Sequence, residues 1–338
     1  MTKTVHRRTL QKVKDLTVGD TTVILNSVQK HVMQRALEPD PDRRHDVLHP
    51  SDMSKPEWCW RADYYRIRGV PVDPKSASPS FFMETIFEEG HGIHRKWQGW
   101  LAEMGWLYGV WWCRECHERW WDTSPPSCPW CGNQRRPKYQ EVPLEAPELW
   151  IAGKGDGLIA KPGEPLRLLE VKSISLGTLR FEAPTLWDMY NNNVPLVKIW
   201  QEIKRPFPSH ARQGMTYMYL ANRGASDLYV PEMVFLYEWK PTQAVKEFVV
   251  KFQPRYIERI LAGAQMVTDA LETGRAPKRP HWADDEDSKY CTSCPYRSTC
   301  WKLDDQRQRE DAAPEERKAI PVKRAAANVR RRAFERSA

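Results

Sequence analysis

Two CxxC pairs sit close together in WWCRECHERWWDTSPPSCPWCG, residues 111–132: Cys113 with Cys116, and Cys128 with Cys131. Each pair forms a knuckle that offers two thiolates. The short loop between them lets the knuckles face each other across one tetrahedral ion. The spacing predicts a zinc ribbon inserted at 111–132, a module too small to build a core of its own. Trp111, Trp112, Trp120, Trp121 and Trp130 crowd the same stretch. Aromatic faces can stack on bases, but in a small zinc module they more commonly pack it. A structural role therefore comes first and guidance of DNA second.

The remaining cysteines form a second set. Cys291, Cys294 and Cys300 follow C-x2-C-x5-C in YCTSCPYRSTCW, one ligand short of four. Of the eight cysteines only Cys59 is then left over. Alone it would read as a small buried hydrophobe; beside the triplet it is the natural fourth ligand. Such a site clasps the N-terminal part of the chain to the C-terminal part, and either zinc or an iron–sulfur cluster would satisfy it. Metal is expected rather than disulfides because a cytoplasmic location is expected, where thiols stay reduced. The opening MTKTVHRRTLQKVKDL has no apolar core like that of a signal peptide, and no apolar run is long enough to span a bilayer. A formal charge of +8 and a pI near 9.0 make an acidic polymer a natural partner.

Residues 153–172, GKGDGLIAKPGEPLRLLEVK, carry the charged chemistry. Asp156 falls on a segment that reads as a strand, KPGEP reads as a turn, and LRLLEVKSI as a second strand. Residues two apart on a strand share a face, so Glu170 and Lys172 point together while Val171 points away. If the hairpin pairs in register, Asp156 meets Glu170. Two carboxylates and an ammonium then converge, as is needed to hold a divalent cation and a scissile phosphate together. The plainer alternative is a solvated hairpin with one ion pair.

Residues 1–48 read as a helical, polar segment in which 25–37 forms a helix packed on the core. Residues 49–110 read as the first part of the main domain. There 81–106 forms an amphipathic helix carrying His91 and His94. After the ribbon, 133–281 reads as the main core. Within it Gln213 and Tyr217, four apart, share one face of a helix in SHARQGMTYMYLAN. Two strands follow, then a helix begun near Pro254 and stopped by Gly274. Residues 282–303 hold the cysteine triplet, and 304–338 form a basic tail able to add phosphate contacts or to remain a solvated tail.

Taken together these residues resemble the RecB-like branch of the PD-(D/E)XK nuclease superfamily. They resemble more closely the iron–sulfur exonucleases of the fourth CRISPR-associated protein family, which also occur in phages. Cys59 followed by WRADYYRIRG resembles the first cluster cysteine; Gly90-HGI-His94, Gly153-KG-Asp156 and Glu170-Val171-Lys172 resemble the three nuclease motifs. Gln213-GMT-Tyr217 resembles the QxxxY helix, and Cys291, Cys294 and Cys300 the terminal triplet. The likeness covers roughly residues 50–303, with six motifs in one order. Gly155 stands where other branches carry proline, and the ribbon, the N-terminal segment and the tail are additions.

The resemblance implies an α/β fold: a restriction-endonuclease-like core with a central mixed sheet flanked by helices, plus the inserted zinc ribbon and an iron–sulfur clasp. It implies a [4Fe–4S] cluster on Cys59, Cys291, Cys294 and Cys300. It also implies Mg or Mn held by His94, Asp156, Glu170 and the Val171 carbonyl. Lys172 would orient or activate the attacking water, with Gln213 and Tyr217 supporting the site and contacting DNA. The expected activity is metal-dependent exonucleolytic cleavage of DNA, single-stranded ends favoured, in phage or bacterial DNA processing. Recombination or CRISPR/phage DNA-processing proteins would be its partners. The competing readings are a non-catalytic DNA-binding recombination scaffold and a structure-specific endonuclease.

Overall fold

A computed structural model of the chain describes residues 22–38, 43–73, 80–223 and 229–302. The basic tail at 304–338 and residues 1–21 lie outside them. The chain divides into two compact units, Met1–Arg43 with Ser78–Glu88, and Arg44–Ala77 with Glu89–Ala338.

The first unit holds α1 (Leu25–Arg35), which buries none of its residues. Leu25 and Val28 stand exposed on it.

The second unit begins with α2 (Pro50–Met53) and α3 (Trp60–Ile67). Helix α4 (Phe81–Glu103), whose residues up to Glu88 belong to the first unit, follows and stops where Gly105 turns left-handed at φ 74°. Strands β1 (Leu107–Trp112), β2 (Arg119–Thr123), β3 (Lys138–Gln140), β4 (Val142–Ala146), β5 (Ile151–Gly155), β6 (Gly157–Ile159) and β7 (Arg167–Ile174) come next. Helices α5 (Leu176–Glu182), α6 (Pro184–Asn191), α7 (Leu196–Glu202) and α8 (Pro208–Arg223) connect β7 to β8 (Glu232–Trp239). Strand β9 (Ala244–Lys251), α9 (Glu258–Thr273) and the short α10 (Lys289–Thr292) complete the order. Pro254 opens a 3-10 turn ahead of α9, and Gly274 ends that helix at φ 70°.

The central sheet runs β2-β1-β6-β7-β8-β9, with β3 also paired to β1; β4 and β5 form a separate hairpin. Strands β7 and β8 are parallel and the other pairs antiparallel, so the sheet is mixed. Parallel neighbours need a long crossover, and here it carries α5 to α8 across the sheet.

Both faces are covered, which is why β8 reads as a nearly continuous apolar run and β7 is apolar except at its charged site residues and ends. Leu168, Ile174, Met233, Phe235, Tyr237 and Trp239 enter the main core together with residues of α8 and α9. Leu169, Val171, Val234 and Leu236 point the other way and pack on Ile93, Trp97 and Leu101 of α4. The i, i+4, i+8 spacing of those three makes the buried stripe of that helix. The edge strand β9 alternates half-buried and exposed residues instead.

Candidate active site and metal centres

Asp156 lies where the chain leaves one hairpin and enters another. In the first, Val142 pairs with Gly155, so the next step outward sets Glu141 beside Asp156. In the second, Gly157 pairs with Leu169, so the preceding step sets Asp156 beside Glu170. Asp156 therefore occupies a bend between β5 and β6 rather than a strand interior, a correction to the sequence reading. The bend is the physical reason that one carboxylate meets two others.

Hydrogen bonds hold it there. The Val171 amide donates to Asp156 Oδ2 at 2.6 Å, and Gln98 Nε2 donates to the Asp156 carbonyl at 2.8 Å. His94, one helical turn before Gln98 on α4, places Nδ1 3.1 Å from Asp156 Oδ1. Burial works against protonating His94, but the adjacent Asp156 carboxylate outweighs it and raises the imidazole above its ordinary value.

Ligand atoms of His94, Glu141 and Asp156 all lie within 4.8 Å of one another, close enough to share a cation. Glu141 was not singled out from sequence. It sits alone between two short strands, and only the β4–β5 pairing reveals its position. The signal for that hairpin is EVPLEA and WIAGKG flanking a Pro147 turn. Burial, with the charge of Asp156 added, raises the Glu141 carboxyl above its ordinary range.

Glu170 and Lys172 share a face of β7, as strand alternation requires. Lys172 Nζ lies 2.6 Å from Glu170 Oε1 and donates to Gln213 Oε1 at 2.8 Å. Gln213 Nε2 in turn donates to the Tyr217 hydroxyl at 3.3 Å. The α8 pair thus reaches the β7 pair through hydrogen bonds. Glu170 is 3% exposed, and its Oε2 is buried with no hydrogen-bond partner. Burial pushes its carboxyl up to about 7, against the pull of Lys172 and with Asp156 adding to the rise. A buried oxygen without a partner and a crowd of carboxylates are what a dication would relieve. The donor set, one imidazole among carboxylates, could hold a divalent metal ion.

The ribbon cysteines come together. Cys113 and Cys116 follow the end of β1, and Cys128 and Cys131 lie between β2 and β3. Cys113 Sγ is 3.7 Å from Cys131 Sγ, and Cys116 Sγ 3.6 Å from Cys128 Sγ. All four sulfurs lie within 4.8 Å of one another, so they could hold one metal ion. Thiolates bound at about 2.3 Å around a tetrahedral ion lie about this far apart.

Cys59, Cys291, Cys294 and Cys300 line one cavity, Cys59 capping the start of α3. Burial pushes the Cys59 thiol up to about 12, with Cys294 and Cys300 adding to the rise. Among the described residues these four do not form a group within 4.8 Å. They are spread more widely than the ribbon set. The surrounding segments are tied as a clasp. The Asp73 amide donates to the Pro295 carbonyl at 2.7 Å, Ser298 N to Asp73 Oδ2 at 3.1 Å, and Trp60 Nε1 to the Lys278 carbonyl at 2.7 Å.

No protein-family model and no curated protein matches the chain. Similar solved structures include SSO0001, 11% identical with a TM-score of 0.35, covering 82% of this chain and 96% of that one. Another is the alkaline exonuclease LHK-Exo from Laribacter hongkongensis, 11% identical with a TM-score of 0.37, covering 68% of this chain and 90% of that one. Its complex with dAMP scores 0.32. Among the described residues no helix is long and apolar enough to cross a membrane.

Proposed function

We propose that this chain is a metal-dependent deoxyribonuclease of the RecB-like PD-(D/E)XK kind, acting by preference on single-stranded DNA ends. The observation that carries the reading is the junction at Asp156, where His94 and Glu141 gather on one side and the Glu170–Lys172 pair stands on the other. His94, Glu141 and Asp156 are the ligands for Mg or Mn, with Glu170 bordering the site through its unpartnered oxygen. A bound dication would make water a better nucleophile and offset charge on the phosphate. Lys172, steered by Gln213, supplies a fixed positive charge for a phosphate oxygen and orients the attacking water. Tyr217 fixes Gln213 in turn. The ribbon quartet holds zinc, and the second quartet a [4Fe–4S] cluster.

The test is anaerobic purification, then incubation of the chain with end-labelled single-stranded DNA and Mg or Mn, beside Lys172→Ala and Asp156→Ala. Metal-dependent shortening by the unaltered chain alone is expected. Equal cleavage by either variant would remove the site assignment. Absence of cleavage in a brown, DNA-binding protein would move the reading to a non-catalytic scaffold. Cleavage of circular single strands would make it an endonuclease.

A further inference from the structure

The pleated face that carries Glu170 and Lys172 does not end at the catalytic strands. Paired residues in a ladder point to the same side of a sheet. Leu168 of β7 pairs with Leu158 of β6, Leu158 with Tyr108 of β1, and Tyr108 with Thr123 of β2. At that level β7 and β2 are three strand spacings, about 14 Å, apart. Beyond Tyr108 the same edge of β1 pairs with β3, so Val110, Trp112, Trp121, Arg119 and Lys138 continue this side of β1, β2 and β3, with Lys138 opposite Trp112.

The two sides of the ribbon hairpin divide its aromatics. Trp111, Trp120 and Tyr139 turn to the opposite side and form a small core of their own. The module is thus packed without Trp121, which is 42% exposed and lies against Tyr108 with ring centroids 5.6 Å apart. Arg119 and Lys138 are exposed beside it. On this side β1, β2 and β3 present no carboxylate; Asp122 points the other way and accepts from Trp120 Nε1 at 3.2 Å.

We propose that this face of the ribbon hairpin is a binding track that leads a single strand of nucleic acid to Lys172. Unpaired bases offer flat faces for Trp121, with Trp112 beside it stacked on His117, and the flanking phosphates find Arg119 and Lys138. A base-paired duplex would hide the faces that the tryptophans need. The proposal rests on the nuclease reading for its end point, but the track itself is a binding claim.

The experiment compares full-length protein with Trp121→Ala and with a triple variant, Trp121→Ala, Arg119→Ser, Lys138→Ser. It measures binding of a long labelled oligothymidylate without divalent metal, over a salt series. It also measures hydrolysis of the nitrophenyl ester of thymidine monophosphate, which is too short to reach the ribbon. Zinc content reports folding of the module, and the single variant at an exposed side chain guards against loss of fold. Trp121→Ala is expected to weaken oligothymidylate binding roughly fivefold to a hundredfold, and Trp121→Phe to restore most of it. Each lost cation lowers the log–log salt slope by about 0.7. Ester hydrolysis should match the unaltered chain. Oligothymidylate binding unchanged in the triple variant, or absent in the unaltered chain, overturns the track. If the unaltered chain binds the strand but does not hydrolyse the ester, and with Mg or Mn does not shorten the oligothymidylate either, the nuclease reading falls while the binding comparison still decides the track.

Discussion

Asp156 owes its neighbours to two hairpins at once, and this decides which residues can matter. A carboxylate inside a single hairpin would face one partner; at the bend it faces Glu141 through β4–β5 and Glu170 through β6–β7. Asp156, Glu170 and Lys172 were legible because strand alternation and one turn suffice to place them. Glu141 was not, because its place depends on a second hairpin, and Gln98 was not, because its amide reaches the Asp156 backbone rather than a side chain. Glu141 gives the sharpest check at this scale. Glu141→Gln keeps the shape and removes one charge from the His94–Asp156 group. Manganese binding to the full chain, followed by calorimetry, should weaken at least about tenfold, since even outer-shell partners of a bound metal cost about tenfold to a hundredfold. Unaltered affinity would return the cation to the expected His94, Asp156 and Glu170 set.

At the scale of elements, α8 works because it comes very near the sheet. A Cβ built at Gly214 would lie 2.4 Å from Phe235 Cζ and 2.5 Å from the Met233 sulfur. Both neighbours are fully buried, so neither has room to give. This close approach lets Gln213 reach Lys172. Two effects oppose each other in Gly214→Ala: helix propensity favours alanine by about 1 kcal/mol, while overpacking costs about 1–3 kcal/mol. The clash should win, leaving the variant less stable in urea and its catalysis impaired. Gly99 in α4 meets nothing within 4 Å where its Cβ would stand. Gly99→Ala should therefore stabilise by about 0.5–1 kcal/mol. Equal effects in the two variants would deny the close approach of α8. From sequence, the 213–217 spacing marked a shared helix face. The depth to which that face sinks could not be read, since it depends on residues of β8 around twenty positions further along.

For the molecule as a whole, the two cysteine sets separate a local module from a long-range clasp. The ribbon quartet closes between the neighbouring β1–β2 and β2–β3 connections, whereas the second quartet brings Cys59 to one cavity with Cys291, Cys294 and Cys300 from the far end of the sequence. Cys294→Ala should bleach the visible absorbance of anaerobically purified protein and lower its melting temperature. Cys128→Ala should release zinc and leave the colour. Metal analysis beside an absorption spectrum decides it, and bleaching by Cys128→Ala would mean the sets are divided wrongly. The sequence by itself determined the things governed by local period and spacing: the helices and strands of the core, the two knuckles, the shared face of Glu170 and Lys172, and the helical turn linking Gln213 to Tyr217. Such relations need only the rise and repeat of an element. Tertiary structure alone decided which strand lies beside which. Ladder register set Glu141 against Asp156, split the ribbon tryptophans between a packed side and an open one, and joined that open side through Tyr108 and Leu158 to the face of β7 that carries Lys172. Register is a property of two segments together, and neither segment's own sequence specifies its partner.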